Sequence, residues 1–162
     1  MNWRARMGAL ALGLTAALAA CSGEATSEAA AEAVEGQIPG MTITNARMVL
    51  APVQGNPAAI YFDLAYEGEK GLTIRKADVT QAASAMLHDY GEYDFKVQMM
   101  EALPIPLSKG TKLTFEPGAK HVMAFEPSDE LQPGSKAEVT LTVSGGMTHT
   151  FEAEVRAAGE ER

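Results

Sequence analysis

The sequence predicts an all-β fold, an antiparallel sandwich or barrel, and three observations predict it. Short runs alternate apolar and polar residues at period two. The clearest are Ala58–Tyr66, where Ile60, Phe62 and Leu64 face one way, and Ala137–Val143, where Val139, Leu141 and Val143 do. A half-buried strand produces that pattern. Clusters of Gly, Pro, Asn, Asp and Ser separate the runs, at intervals of about 8–12 residues that suit a many-stranded β domain. No long helical period appears outside the N-terminal leader.

In chain order, Arg4 and Arg6 precede an apolar, Ala- and Leu-rich stretch, Met7–Leu18. At about a dozen residues it is too short to span a bilayer as a permanent helix and has the build of an export signal. It ends in Leu18-Ala19-Ala20-Cys21, small residues before the only cysteine of the chain, and this resembles the bacterial lipobox. The resemblance implies cleavage after Ala20, diacylglycerol on the Cys21 thiol and an acylated new N-terminus. Residues 1–20 are therefore expected to be a lipoprotein signal peptide. Residues 21–37 are expected to be the lipidated cysteine and a flexible tether, because Ser22–Gln37 is Ala, Glu, Ser, Thr, Gly and Gln with a single valine, too little apolar surface to bury a core. The β domain is expected over 38–157, and 158–162 as a disordered tail.

Within the domain, Met41–Thr44 alternates and Ala46–Leu50 continues it, giving one or two strands. Ala51–Pro57 is a loop by its Pro and Gly content. After the Ala58–Tyr66 strand, Glu67–Gly71 turns, and Leu72–Ile74 with Val79 marks another strand. Ala82–His88 leads into Asp89–Glu92, a polar segment with Gly91 that reads as a hairpin turn, and Tyr93–Met99 is its return strand. Leu103–Leu107 is extended, since Pro104 and Pro106 forbid both a helix and a central strand. Thr111–Phe115, His121–Phe125, Ala137–Val143 and Met147–Val155 complete the set, the last two joined at Gly145-Gly146.

Composition narrows the function. About 125 residues follow the leader and tether, enough for one core. The formal charge is −8, and becomes −10 once Arg4 and Arg6 leave with the signal. That surface argues against nucleic acid and against adhesion to anionic lipid by charge; it suits solubility, or a partner with a basic patch. With Cys21 as the only cysteine, no intramolecular disulfide can form. Zinc ribbons, iron–sulfur clusters and blue-copper centres, which all need a thiolate, are excluded from the domain. The chain has no His/carboxylate cluster of hydrolase type and no Gly-rich phosphate loop, so it is not expected to be an enzyme.

His88, Met99, His121 and Met123 are the residues that carry chemistry. Two imidazoles and two thioethers form a soft, uncharged donor set, which suits Cu(I). A thioether has no proton to lose and forms no disulfide, so it serves in an oxidising compartment, although sulfoxide formation would remove the donor. His121 and Met123 are two apart on a strand and share a face. His88 and Met99 lie on two strands of one hairpin and can reach one end of it. Taken singly, each has a plainer reading, since an isolated His is usually a satisfied polar residue and an isolated Met core filler. Met86, two before His88, could share its face and support the ligands or fill the core, and is expected in the core; Met100, facing away from Met99, is expected in packing or at the surface. Met147 and His149 are expected to be an ordinary exposed pair rather than an accessory metal site. Asp89 and Glu92 are the polar residues a turn needs.

The spacing His-x10-Met-x21-His-x-Met resembles the ligand pattern of the periplasmic copper chaperones called PCuAC, and His88, Met99, His121 and Met123 match every position. Leu103-Pro104-Ile105-Pro106, Phe115-Glu116-Pro117-Gly118 and Leu131-Gln132-Pro133-Gly134 resemble that family's Pro-rich link and Gly turns. The similarity covers roughly 41–155. It implies a cupredoxin-like Greek-key fold and one Cu(I) per domain, held by those four residues. It further implies a place on the periplasmic side of a bacterial membrane. The partners implied are copper proteins: cytochrome c oxidase subunit II, whose dinuclear copper centre would be the recipient, or another copper chaperone. Copper sequestration uses the same site and stays open as an alternative, as does a lipoprotein adaptor whose His and Met residues are incidental. The chain departs from the pattern at Asn45–Pro52, which lacks the usual Trp, and at Ala157–Arg162, which lacks the His- and Met-rich tail that some relatives use for Cu(II).

Overall fold

The computed structural model describes residues 36–160. The expected signal peptide, Cys21 and almost all of the expected tether lie outside the described residues. The alternating runs become ten strands: β1 (Met41–Val49), β2 (Ala58–Tyr66), β3 (Leu72–Val79), β4 (Ala82–Tyr93), β5 (Lys96–Glu101), β6 (Ile105–Leu107), β7 (Thr111–Phe115), β8 (His121–Pro127), β9 (Lys136–Val143) and β10 (Thr148–Arg156). A 3-10 turn, Ser144–Gly146, joins β9 to β10.

Alternation decides which faces are buried. Ile60, Phe62 and Leu64 of β2 and Ala137, Val139, Leu141 and Val143 of β9 point into the core, all but Leu64 (2 %) no more than 1 % exposed. Phe62 stacks on Phe115 at 4.1 Å and meets Phe151 edge-on at 5.0 Å, the latter an arrangement that aromatic rings prefer.

The strands form one sheet in the order β5-β4-β8-β2-β1-β10-β9-β3-β6, with β7 pairing the far half of β2. The pairings are antiparallel except β1 with β10, which is parallel. The sheet is therefore mixed, and among the described residues no pairing joins β5 to β6, so it does not close into a true barrel. It folds over instead, with β3 packed against β4. The two runs expected at the start of the domain are one strand, because Asn45 adopts a left-handed φ of 55° and a bulge there carries the register from Thr44 to Arg47, a device that bends a strand without ending it. The proline-bearing β6 sits at an end of the sheet and pairs only with β3, the position where a missing N–H does no harm.

The hairpin around the first histidine differs from the sequence reading. Asp89–Glu92 is not the turn. β4 runs on to Tyr93, and Asp94 and Phe95, with φ of 52° and 58°, form the connection. Gly91 is a strand residue whose missing Cβ makes room for Met100: a Cβ there would lie 2.7 Å from the Met100 Cε and 2.9 Å from its Sδ. Close approach, rather than a turn, explains the glycine.

Candidate metal centre

The site is built on the three-strand edge β5-β4-β8. In β8 the even positions go inward, Val122 and Ala124 being 0 % exposed, so His121, Met123 and Phe125 point out. In β4 Leu87 goes inward, so Ser84, Met86, His88 and Tyr90 point out. Register then fixes the neighbours: His88 stands opposite His121, Met86 opposite Met123 and Ser84 opposite Phe125. On the other side of β4, Tyr90 stands opposite Met99 and His88 opposite Glu101. All four expected ligands therefore share one sheet face.

Within that face they form two groups. His121 is buried, and its Nδ1 lies 2.8 Å from the carbonyl oxygen of Ala119. A carbonyl only accepts, so Nδ1–H donates to it, and the tautomer this selects for the neutral imidazole has its lone pair on Nε2. That Nε2 lies 3.1 Å from the Met99 Sδ. Two lone-pair donors thus face one another, an arrangement that makes sense when an electrophile joins them. Tyr61 and Tyr90 flank the ring, with centroids at 6.3 and 5.9 Å. The His88 ring leans the other way. Its centroid is 5.7 Å from that of His121 and 6.2 Å from that of Phe125, so it lies over the stretch of β8 that Met123 occupies. Ala59 of β2, opposite Met123 on its far side, leaves space for the thioether.

His88 carries a second mark of an incomplete site. Its Nδ1 is buried with no hydrogen-bond partner, and buried polar nitrogens are normally satisfied. Burial lowers the pKa of this imidazole, and the neighbouring His121 lowers it further, against a smaller opposing pull from Glu101; the ring is held neutral, as a metal ligand must be. Among the described residues no three His, Cys, Asp or Glu side chains gather as a metal-binding group, so a centre on this face must draw on methionine sulfur. The donor set fits a soft monovalent cation.

Asp89 is not part of a turn but pairs at 2.6 Å with Lys120, the residue just before β8. Burial alone would raise its pKa, but the Lys120 hydrogen bond, the Tyr90 N–H and the nearby charges outweigh burial and depress it. Met86, expected in the core, is 39 % exposed on the ligand face. Its spacing carried the signal, since a strand residue two before His88 must share the His88 face. Met147 and His149 are not an exposed pair. His149 is 4 % exposed and accepts the Ile38 N–H on Nδ1 at 3.1 Å.

Among solved structures, the fold is that of PCuAC domains. The copper-bound PCuAC domain from PmoF2 superimposes with a TM-score of 0.59 at 21% identity, covering 76% of this chain and 98% of that one. Apo-DR1885 from Deinococcus radiodurans gives a TM-score of 0.59 at 21% identity over 92% of this chain and 100% of that one. The Cu(I) form of DR1885 gives 0.55 at 25% identity over 85% and 89%. No curated protein matches the chain. A family model described as "Putative lipoprotein LpqE-like" matches residues 41–155, and the chain belongs to that LpqE-like family.

Proposed function

We propose that this protein is an extracytoplasmic Cu(I) carrier, anchored by lipid on Cys21, that holds one ion with His88, Met99, His121 and Met123 and passes it to another copper protein. The observation that carries the reading is the His121 Nε2 set 3.1 Å from the Met99 sulfur, with the opposite ring nitrogen tied to the Ala119 carbonyl. The orphaned His88 Nδ1 supports it, as does the fold shared with domains solved in copper-bound form. No catalytic step is involved. His121 and His88 supply neutral nitrogen, Met99 and Met123 supply soft sulfur, and Met99 at 44 % exposure is reachable by a partner that takes the ion one ligand at a time. The chemistry of the recipient follows from the donor set: a copper site able to outbid neutral N and S donors, such as the thiolate-bearing dinuclear centre of cytochrome c oxidase subunit II.

The test is an anaerobic Cu(I) titration of the chain from Ser22 onward against a competing chelator, beside the variant Met99→Leu/Met123→Leu. One tight equivalent in the parent, lost in the folded variant, is the expected result. Equal binding in both, or none in either, would sink the carrier reading and favour an adaptor.

A further inference from the structure

The ligand face carries a third thioether. Met86 stands directly opposite Met123 across the β4–β8 pairing, where facing side chains have Cβ atoms about 5 Å apart. It is two residues from His88 on the same strand face, and it is 39 % exposed at a mid-strand position where an outward side chain is ordinarily polar. The two imidazoles lean apart. His121 meets Met99, while His88 lies between the His121 and Phe125 rings, on the strand face it shares with Met86 and beside the stretch of β8 that carries Met123. The face thus holds one nitrogen–sulfur pair, His121 with Met99, and beside it one nitrogen with two sulfurs, His88 with Met86 and Met123.

We propose that Met86 is a fifth soft ligand, and that His88, Met86 and Met123 form a second station for Cu(I) adjoining the His121–Met99 pair. The inference rests on the carrier reading above and deepens it. A tetrahedral ion has four places, and five donors on one face let a sulfur arrive before another leaves. No bond other than metal–ligand bonds forms or breaks, and no electron or proton moves. Met86 also stands in for Met123 when that ligand is lost.

The test uses the chain from Ser22 onward, labelled with ¹³C at the methionine ε-methyl groups and titrated anaerobically with Cu(I). The Met86 methyl is expected to shift together with those of Met99 and Met123 at the first equivalent, while Met100, which packs over Gly91, stays put. Affinities are then compared for Met86→Leu, Met123→Leu and the double variant, all near-isosteric changes at partly exposed positions. Each single change is expected to weaken binding by about threefold or less, and the double change by about a hundredfold or more, well beyond the roughly tenfold product that independent sites would give, a non-additivity that marks interchangeable ligands. A silent Met86 methyl, with Met123→Leu alone as damaging as the double variant, overturns the fifth ligand and leaves the four-ligand carrier standing. If no methionine methyl responds, the carrier reading falls and Met86 with it.

Discussion

His149 and His121 are both buried, and what holds their nitrogens sets their uses apart. His121 gives its N–H to Ala119 and keeps Nε2 open toward sulfur. His149 uses Nδ1 to accept the Ile38 N–H, tying the first described residues to β10. Burial lowers the His149 pKa from its ordinary 6.5, and burial lowers that of His88 as well. In both cases the unfolded chain binds a proton more readily than the folded one. Stability therefore rises with pH through the window below 6.5 and is lost as pH falls through it. Urea unfolding of the metal-free chain at several pH values between 5 and 7.5 should show a midpoint that drops on acidification. His149→Gln, which keeps an acceptor for Ile38 but does not titrate, should flatten part of that slope; an unchanged slope would remove His149 from the account. His149→Leu strands a buried N–H and should cost about 1–3 kcal/mol at neutral pH. That His121 and Met123 share a face was legible from strand parity, and the four were singled out together by their resemblance to the PCuAC spacing; the structure places all four on one sheet face. His149 was misread, although it shares parity with Ala153 and Val155, both buried, and alternation alone places it inside. Met86 was misread the opposite way, on residue type against parity.

At the scale of the element, the β4–β5 hairpin both makes the site and carries strain. Its connection places Asp94 and Phe95 at left-handed φ, as the two-residue turns that match strand twist require. Asn-Gly would satisfy that geometry cheaply; a phenylalanine there costs about 1–2 kcal/mol relative to glycine. Phe95→Gly should therefore raise thermal stability by about 1 kcal/mol without altering Cu(I) affinity, which differential scanning calorimetry and the chelator titration together check. A loss of stability would mean that the Phe95 ring packs in solution, although it is 95 % exposed here. The turn was placed too early in the sequence reading because Gly91 and its polar neighbours look like a turn. The glycine answers instead to the Met100 side chain lying over it, a contact between cross-strand neighbours that local sequence does not display.

For the whole molecule, period-two alternation found the strands but not their partners. The parallel pairing of β1 with β10 joins the two ends of the domain, and the mixed sheet that results could not be read from runs that each see only their own neighbours. The lipid anchor is a proposal at this scale. Mass spectrometry of the mature N-terminal peptide from a bacterial host should find Cys21 with diacylglycerol and an acylated amine; an unmodified start at Cys21 or beyond would remove the anchor. If it is present, the sixteen residues between Cys21 and Ile38 keep the domain within about 55 Å of the bilayer, the span of a fully extended segment that long.

The strand order also sets an order in time. An exported chain emerges from its N-terminus, and β5, β4, β8, β2 and β1 are neighbours in the sheet drawn entirely from residues before β9. If the chain is exported as proposed, the half that carries His88, Met99, His121 and Met123 can pair as soon as Pro127 has crossed the membrane. Among the described strands, β3 and β6 are hydrogen-bonded into the sheet only through β9, and β9 reaches β1 only through β10, so the sheet is completed by the last strand to arrive. Long-range pairings of this kind are the slow steps of folding. The edge that carries the proposed ligands can thus form while the far half of the sheet is still waiting for its keystone.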